Sequence, residues 1–189
     1  AGLDTLAVRV PSLDLARSLL KACRCPVAAP SANISGHVSP TTSDHVYGEF
    51  GSELSVILDG GPSQIGLEST VIDLTTDEPV LLRPGGISRE RLESTVGKVG
   101  VATLETPLKS PGMLDRHYAP TTPLRLEAKT TEPGEVLLGF GPGTPGSALN
   151  LSVTGDLVEA AANLFAMLRD LEQAGATGIA VMPIPKKGL

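Results

Sequence analysis

The chain of 189 residues contains no tryptophan and only three Phe and two Tyr, so it lacks the repeated aromatic faces on which single-stranded nucleic acid stacks. Cysteine is nearly absent. Cys23 and Cys25 form a C-x-C pair with no second Cys or His pair at zinc-ligand spacing, which argues against a disulfide framework or zinc module and for free thiols in a cytosolic chain. No apolar run reaches membrane-spanning length, and the first residues carry no basic, apolar export signal. Positive charge is also in deficit, 15 Lys and Arg against 21 Asp and Glu for a net −6. The deficit is spread, 8 against 12 in residues 1–104 and 7 against 9 in 105–189, so neither part shows the electrostatic footprint of a duplex-binding protein. The motifs G-x-x-x-x-G-K-S/T, G-x-S-x-G and H-E-x-x-H are missing, which leaves P-loop, hydrolase-elbow and zincin chemistry unsupported.

What is present reads as a globular chain, 41% apolar and 19% charged, long enough for one generous domain or two small ones. Glycine and proline together make 37 residues and promise many turns and specialised loops. Leu6-Ala7-Val8-Arg9-Val10 has a buried-strand pattern, so the chain enters on a central-looking strand and reads as a domain lacking its beginning. Leu13, Ala16, Leu20 and Cys23 share one helical face after Ser12, a candidate cap. A short strand at 26–29 leads into the loop 31–40, then a helix near Thr41 with Asp44 in a capping-box position. Strands at 55–58, 70–74 and 79–83 read as a mixed sheet, and a helix from Ser88 to about Val96 closes this unit. Residues 101–124 hold five Pro and Gly residues, little periodicity and the cluster Arg116-His117-Tyr118, the pattern of a linker.

Beyond the linker lies a β-α-β unit: a strand at 135–140, a helix from Asp156 to Ala174 and a strand at 178–182. Leu157, Ala160, Ala161, Leu164, Leu168 and Leu171 form the helix's apolar stripe, and Asp156 with Glu159 suits a capping box. A strand, a crossover helix and a strand imply parallel pairing. The sequence ends before another helix covers that sheet, so the unit reads as truncated. Gly141-Pro142-Gly143-Thr144-Pro145-Gly146 matches G-x-G-x-x-G, but about ten residues separate it from the helix whose N-terminus should meet a pyrophosphate. It reads as a glycine-rich connection.

The candidate chemistry sits earlier. Ser31, Asn33, Ser35, Ser39, Thr41 and Thr42 crowd hydroxyl and amide groups between a strand end and a helix start. Such a place can receive an anion, or can consist only of caps and Asx turns. Gly66-Leu67-Glu68-Ser69-Thr70 runs into a strand, and Arg83-Pro84-Gly85-Gly86 ends the next one with a guanidinium, a group suited to phosphate or carboxylate. Arg9 is a second guanidinium, in an otherwise apolar segment where an unpaired charge would be costly. His37, His45 and Tyr47 could be arranged as a base beside Ser31, but nothing in the spacing demands it, and the two histidines read as surface residues.

The ordered segments VRVPSLDLARSLLKACRCPVAAPSANISGHVSPT, ILDGG, GLESTVIDL, LLRPGGIS and SPGMLDRHYAP together resemble the YrdC-like threonylcarbamoyl-AMP synthase family, in its long form with an appended C-terminal domain. The resemblance implies an α/β fold: a partial YrdC-like twisted mixed sheet with helices in 1–100, a linker or lid in 101–124, and a partial Rossmann-like βαβ domain in 125–189. It implies a nucleotidyltransferase joining L-threonine, bicarbonate and ATP into threonylcarbamoyl-AMP and pyrophosphate, for N6-threonylcarbamoylation of adenosine 37 in tRNA. Carried over by motif, Arg9, Ser31 and Ser69 would hold threonine, and Asn33, Thr41, Arg83, His117 and Tyr118 would hold ATP. Magnesium is implied by the triphosphate. The linker would act as a lid that excludes water from labile intermediates.

The family's N-terminal K-x-R segment is not found before Arg9, so the resemblance carries the expectation that the 189 residues are an interior piece, inactive by themselves. The resemblance further implies a cytoplasmic enzyme that meets tRNA indirectly, through downstream transfer proteins, with no membrane partner. Two other readings accompany it. One is a non-catalytic YrdC-like module that binds double-stranded RNA or regulates; the other is a carbamoyltransferase of the hydrogenase-maturation type, whose acylphosphatase-like and zinc-finger segments are not seen here.

Overall fold

The computed structural model describes residues 4–103, 119–144 and 146–186. Its helices are α1 (Asp14–Cys23), α2 (Ser43–Phe50), α3 (Arg89–Val96) and α4 (Leu157–Gln173). The strands are β1 (Val71–Asp73), β2 (Val80–Arg83), β3 (Gly100–Val101), β4 (Leu124–Arg125), β5 (Glu135–Gly139), β6 (Leu149–Asn150) and β7 (Gly178–Val181). The fold is α/β with two sheets. In the first, ordered β1-β2-β3, β1 pairs antiparallel and β3 parallel to β2, a mixed sheet. The second, ordered β4-β7-β5-β6, is parallel throughout, as a crossover helix between β5 and β7 requires.

Alternation along β5 and β7 divides the second sheet's faces. Leu138, Ile179 and Val181 pack with Leu151, Ala160, Phe165, Leu168 and Leu171 beneath α4, while Leu137 and Ala180 meet Ala128 on the other face. Asp156 caps α4 by accepting from the Glu159 amide. Glu159 does not complete a capping box: its carboxylate accepts from Ser152 Oγ at 2.5 Å, and Ser152 Oγ accepts from the Asp156 amide. Between the glycine-rich loop and this helix lies β6, paired with β5 at Leu138 and Gly139. The loop therefore feeds a strand, not a helix N-terminus.

The first part of the chain departs from its sequence pattern in several places. Residues 6–10, 26–29 and 55–58 are not strands. Leu6, Val8 and Val10 are each at least 80% exposed, because no segment among the described residues pairs with their backbone, and a strand exists only through its partner. Arg9 is likewise exposed, so its charge is solvated and the burial cost inferred for it does not arise. Leu13, not Ser12, occupies the cap position of α1 and contributes no side-chain bond. For α2 the cap is Thr42, whose hydroxyl accepts from the His45 amide; the cap thus falls one residue after the Thr41 read from sequence, and Asp44 is not its box partner. Ser88, where the sequence reading begins this helix, is the cap of α3, its hydroxyl accepting from the Arg91 amide.

The loop before α2 and the segment before β1 both pack against α4. Val38, from the loop before α2, is 2% exposed inside the core cluster beneath α4, with Leu67 packed beside it. A Cβ on Gly66 would stand 2.2 Å from the carbonyl oxygen of Ala162 in α4, and its φ of +69° is in the left-handed region. Only glycine allows both that torsion and that approach.

Candidate functional site

The loop 31–40 folds around Asn33. Its Nδ2 donates to the carbonyls of Ile34 (2.9 Å) and His37 (3.0 Å), tying the turn to itself as Asx side chains do. Asn33 is buried, and its Oδ1 has no hydrogen-bond partner among the described residues. A buried acceptor left open costs about 1–3 kcal/mol, so this oxygen is suited to a donor brought by a ligand. Ser31, at the start of the same loop, is exposed.

A second polar row crosses the strand ends. Ser39 Oγ donates to Glu68 Oε1 at 2.5 Å. The other Glu68 oxygen lies 3.5 Å from Arg83 Nη2. Arg83 in turn donates from Nε to the Ser69 carbonyl (2.9 Å) and from Nη2 to Ser69 Oγ (3.0 Å). One edge of the guanidinium fork, Nε and Nη2, thus orients Ser69, and the loop 31–40, the Glu68–Thr70 segment and the end of β2 become one connected surface. Thr70 secures it: its hydroxyl donates to the Ile87 carbonyl and accepts from the Ile87 amide. Gly85 closes it. A Cβ there would meet Glu68 O at 2.3 Å and Thr70 N at 2.4 Å.

Thr41 is buried at the start of α2, its carbonyl accepting from the Ser63 amide at 2.8 Å. Its amide donates to His45 Nδ1 at 3.2 Å, which requires an unprotonated Nδ1. Desolvation, followed by repulsion from Arg169, lowers the His45 pKa below its ordinary value against the opposing charges of Asp170 and Asp44. His45 is therefore a half-buried structural acceptor and not a surface histidine. His37 instead lies 3.4 Å from Glu49, Tyr47 is exposed, and Cys23 and Cys25 are exposed free thiols.

Of the residues singled out from sequence, Ser69 and Arg83 touch, and Asn33 and Thr41 lie at the two ends of the loop that Ser39 ties to Glu68. Arg9 lies in the exposed segment before α1. His117 and Tyr118 lie outside the described residues. The following residue, Ala119, donates its amide to the Gly36 carbonyl at 3.2 Å, which brings the chain just past the His-Tyr pair to the same loop. The sequence reading places Ser39, Glu68 and Gly85 within the candidate segments but gives none of them a role of its own; the structure makes them the links of this surface. The available signal was their adjacency to the singled-out positions, since Ser39 is two residues from Thr41 and Glu68 is next to Ser69.

Among the described residues no cluster of three or more His, Cys, Asp or Glu side chains could hold a metal ion, and no helix is long and apolar enough to cross a membrane.

Comparison with known proteins places this surface in context. Residues 1–85 match a family model described as telomere recombination, and residues 87–189 match one described as threonylcarbamoyl-AMP synthase, C-terminal domain. A threonylcarbamoyl-AMP synthase of Pyrococcus abyssi is 40% identical over 210 residues, covering 100% of this chain and 61% of the relative. One of Bacillus subtilis is 46% identical over 130 residues, covering 67% of this chain and 38% of the relative. The crystal structure of P. abyssi Sua5 complexed with L-threonine is 38% identical, with a TM-score of 0.86 over 99% of this chain and 61% of that one. A variant of the same archaeal protein, with an adjacent His and Tyr both replaced by Ala, gives a TM-score of 0.85 at 37% identity, over 100% of this chain and 60% of that one. The chain thus spans about three fifths of its archaeal relative's length. Matched along both sheets, with the second match alone taking in more than half of its residues, the chain belongs to the threonylcarbamoyl-AMP synthase family.

Proposed function

We propose that the protein acts in the synthesis of threonylcarbamoyl-AMP, with L-threonine, bicarbonate and ATP as substrates and pyrophosphate as the second product. The observation that carries the reading is the similarity, over 99% of this chain, to an archaeal protein crystallised with L-threonine. It is supported by a polar surface in which Ser69 is oriented by Arg83 and Asn33 keeps an open acceptor.

In this reading the threonine amine attacks bicarbonate carbon and water leaves, giving a carbamate. A carbamate oxygen then attacks the α-phosphorus of ATP, and pyrophosphate departs with the electrons of the broken P–O bond. Neither step needs a protein nucleophile. Both need the reactants held in line and hydrogen-bond donors aimed at developing negative charge. Ser31 and Ser69 supply hydroxyls for threonine, with Arg9 as the guanidinium for its carboxylate once the segment before α1 is brought over the site. Asn33, Thr41 and Arg83 serve the nucleotide, joined by His117 and Tyr118 from the segment that returns to the loop at Ala119. Magnesium would come with the triphosphate, whose charge it offsets. The product is consumed in the cytoplasm by proteins that transfer threonylcarbamoyl to tRNA.

The test is calorimetric titration with L-threonine and with Mg-ATP, using L-valine as the near-isosteric control. Binding of L-threonine and Mg-ATP, with L-valine rejected because it leaves the site's hydroxyl partners unpaired, supports the proposal. Absence of binding to both substrates at millimolar concentration overturns it.

A further inference from the structure

The loop around Asn33 does not stand by itself. Its two backbone partners, Ile34 and His37, are held from outside: the Ile34 amide donates to Glu49 Oε2 at 3.2 Å, and His37 Nδ1 lies 3.4 Å from the same oxygen. The other Glu49 oxygen receives Arg169 Nη2 at 2.6 Å, and that nitrogen also donates to the Val38 carbonyl. Arg169 belongs to α4, 120 residues further along the chain. The two side chains are only 11% and 8% exposed, so they form a buried ion pair whose partners cannot be separated cheaply. Burial pushes the Glu49 carboxyl up, but the Arg169 hydrogen bond, the Ile34 amide and the charges of Arg169 and His37 outweigh it and hold Glu49 below the usual carboxylate range.

The same helix face binds the returning chain. Glu172, one turn beyond Arg169, accepts from the Thr121 amide and hydroxyl (both 2.6 Å) and the Thr122 amide (3.0 Å). Between the two attachments lies a cavity of about 260 Å³ lined by His37, Glu49, Ala119, Arg169 and Glu172.

We propose that Arg169 and Glu49 are positioning residues: through them α4 fixes the Asn33 turn and so sets the affinity of a substrate loop to which the helix does not belong. The inference rests on the reading that this loop binds nucleotide. It assigns the appended domain a role in binding rather than support alone, since the route from Arg169 through Glu49 to Ile34 and His37 ends on Asn33.

The experiment compares R169K and the apolar pair R169M/E49L with the wild type. It measures thermal midpoint, amide hydrogen exchange at Ile34, and Mg-ATP affinity. Replacing both charges leaves neither buried and unpaired, so R169M/E49L melts close to the wild type. Ile34 nevertheless loses its acceptor and Val38 its donor. Exchange at Ile34 then rises and Mg-ATP affinity falls, each about tenfold, as expected for loss of one hydrogen bond to a charged group. R169K, whose ammonium lacks the guanidinium fork, lies between the two, and it carries the test should the double variant fail to fold. Wild-type exchange and affinity in a folded variant overturn the proposal. If the wild type binds no Mg-ATP, exchange at Ile34 decides: a rise upholds the coupling while the nucleotide reading falls, and no change overturns both.

Discussion

Replacing Gly85 by alanine adds one methyl group at the point where the end of β2 meets the segment assigned to threonine. Gly85 has no left-handed torsion to protect, so the effect is steric alone. The new Cβ would stand 2.3 Å from Glu68 O, 2.4 Å from Thr70 N and 2.6 Å from Ser69 C. All three are backbone atoms, which cannot rotate away, and restoring contact to the ordinary range requires the segments to part by about 1 Å. Overpacking of this kind costs about 1–3 kcal/mol. The movement falls on the bonds from Arg83 to Ser69, 2.9 and 3.0 Å long, which would be stretched beyond useful length. If the strain falls on the bound state, 1–3 kcal/mol corresponds to L-threonine affinity about 5- to 150-fold weaker. Calorimetric titration of Gly85→Ala with L-threonine, beside a thermal melt, measures both effects. Wild-type affinity at an unchanged melting temperature would refute the reasoning, because it would mean that the two segments do not abut as described.

Leu138, fully buried beneath α4, should lose about 2–5 kcal/mol on change to Ala, read by urea denaturation. Gly48 lies within α2 with nothing within 4 Å of an added Cβ, so Gly48→Ala should stabilise by about 0.5–1 kcal/mol in the same assay. Asp156→Ala removes the α4 cap and should cost about 1 kcal/mol. The carboxyl of Glu135 is lowered from 4.5 to about 2, first by the Arg125 side-chain hydrogen bond and then by the Glu132 amide. Its contribution to stability is fully present above pH 4.5 and is lost as pH falls towards 2. Comparing acid titrations of the wild type and Glu135→Gln should show a shallower loss in the variant over that window.

The second sheet was legible because its signals are local. The apolar stripe of α4 and the Asp156 cap lie within one stretch, and the sequence pattern identifies both. Its short strands were not. β6 is two residues long and β4 begins at Leu124, within the linker pattern; each exists through pairing with β5 or β7 and carries no periodicity of its own. The opposite error occurred at Leu6, Val8 and Val10, where strand-like apolar alternation is present but no partner among the described residues pairs with it. Thr41 and Thr42 could both cap α2, and only the structure shows Thr41 occupied with His45 while Thr42 takes the cap. In the candidate site, hydroxyl and amide density pointed to the loop 31–40 and glycine to the turn 83–86, two segments that the structure joins through Ser39, Glu68 and Arg83. The Ser39–Glu68 bond and the Arg169–Glu49 pair join residues 29 and 120 positions apart. No spacing rule reaches that far.

The central claim is that the surface formed by 31–41, 68–70 and 83–86 receives threonine and nucleotide. Amide-resolved NMR titration with L-threonine and then Mg-ATP tests it most directly. The account predicts saturable shifts at Asn33, Ser69 and the Arg83–Gly86 turn, with the glycine-rich loop at 141–146 unaffected. Shifts confined to that loop, or none in the three segments at saturating ligand, would contradict it.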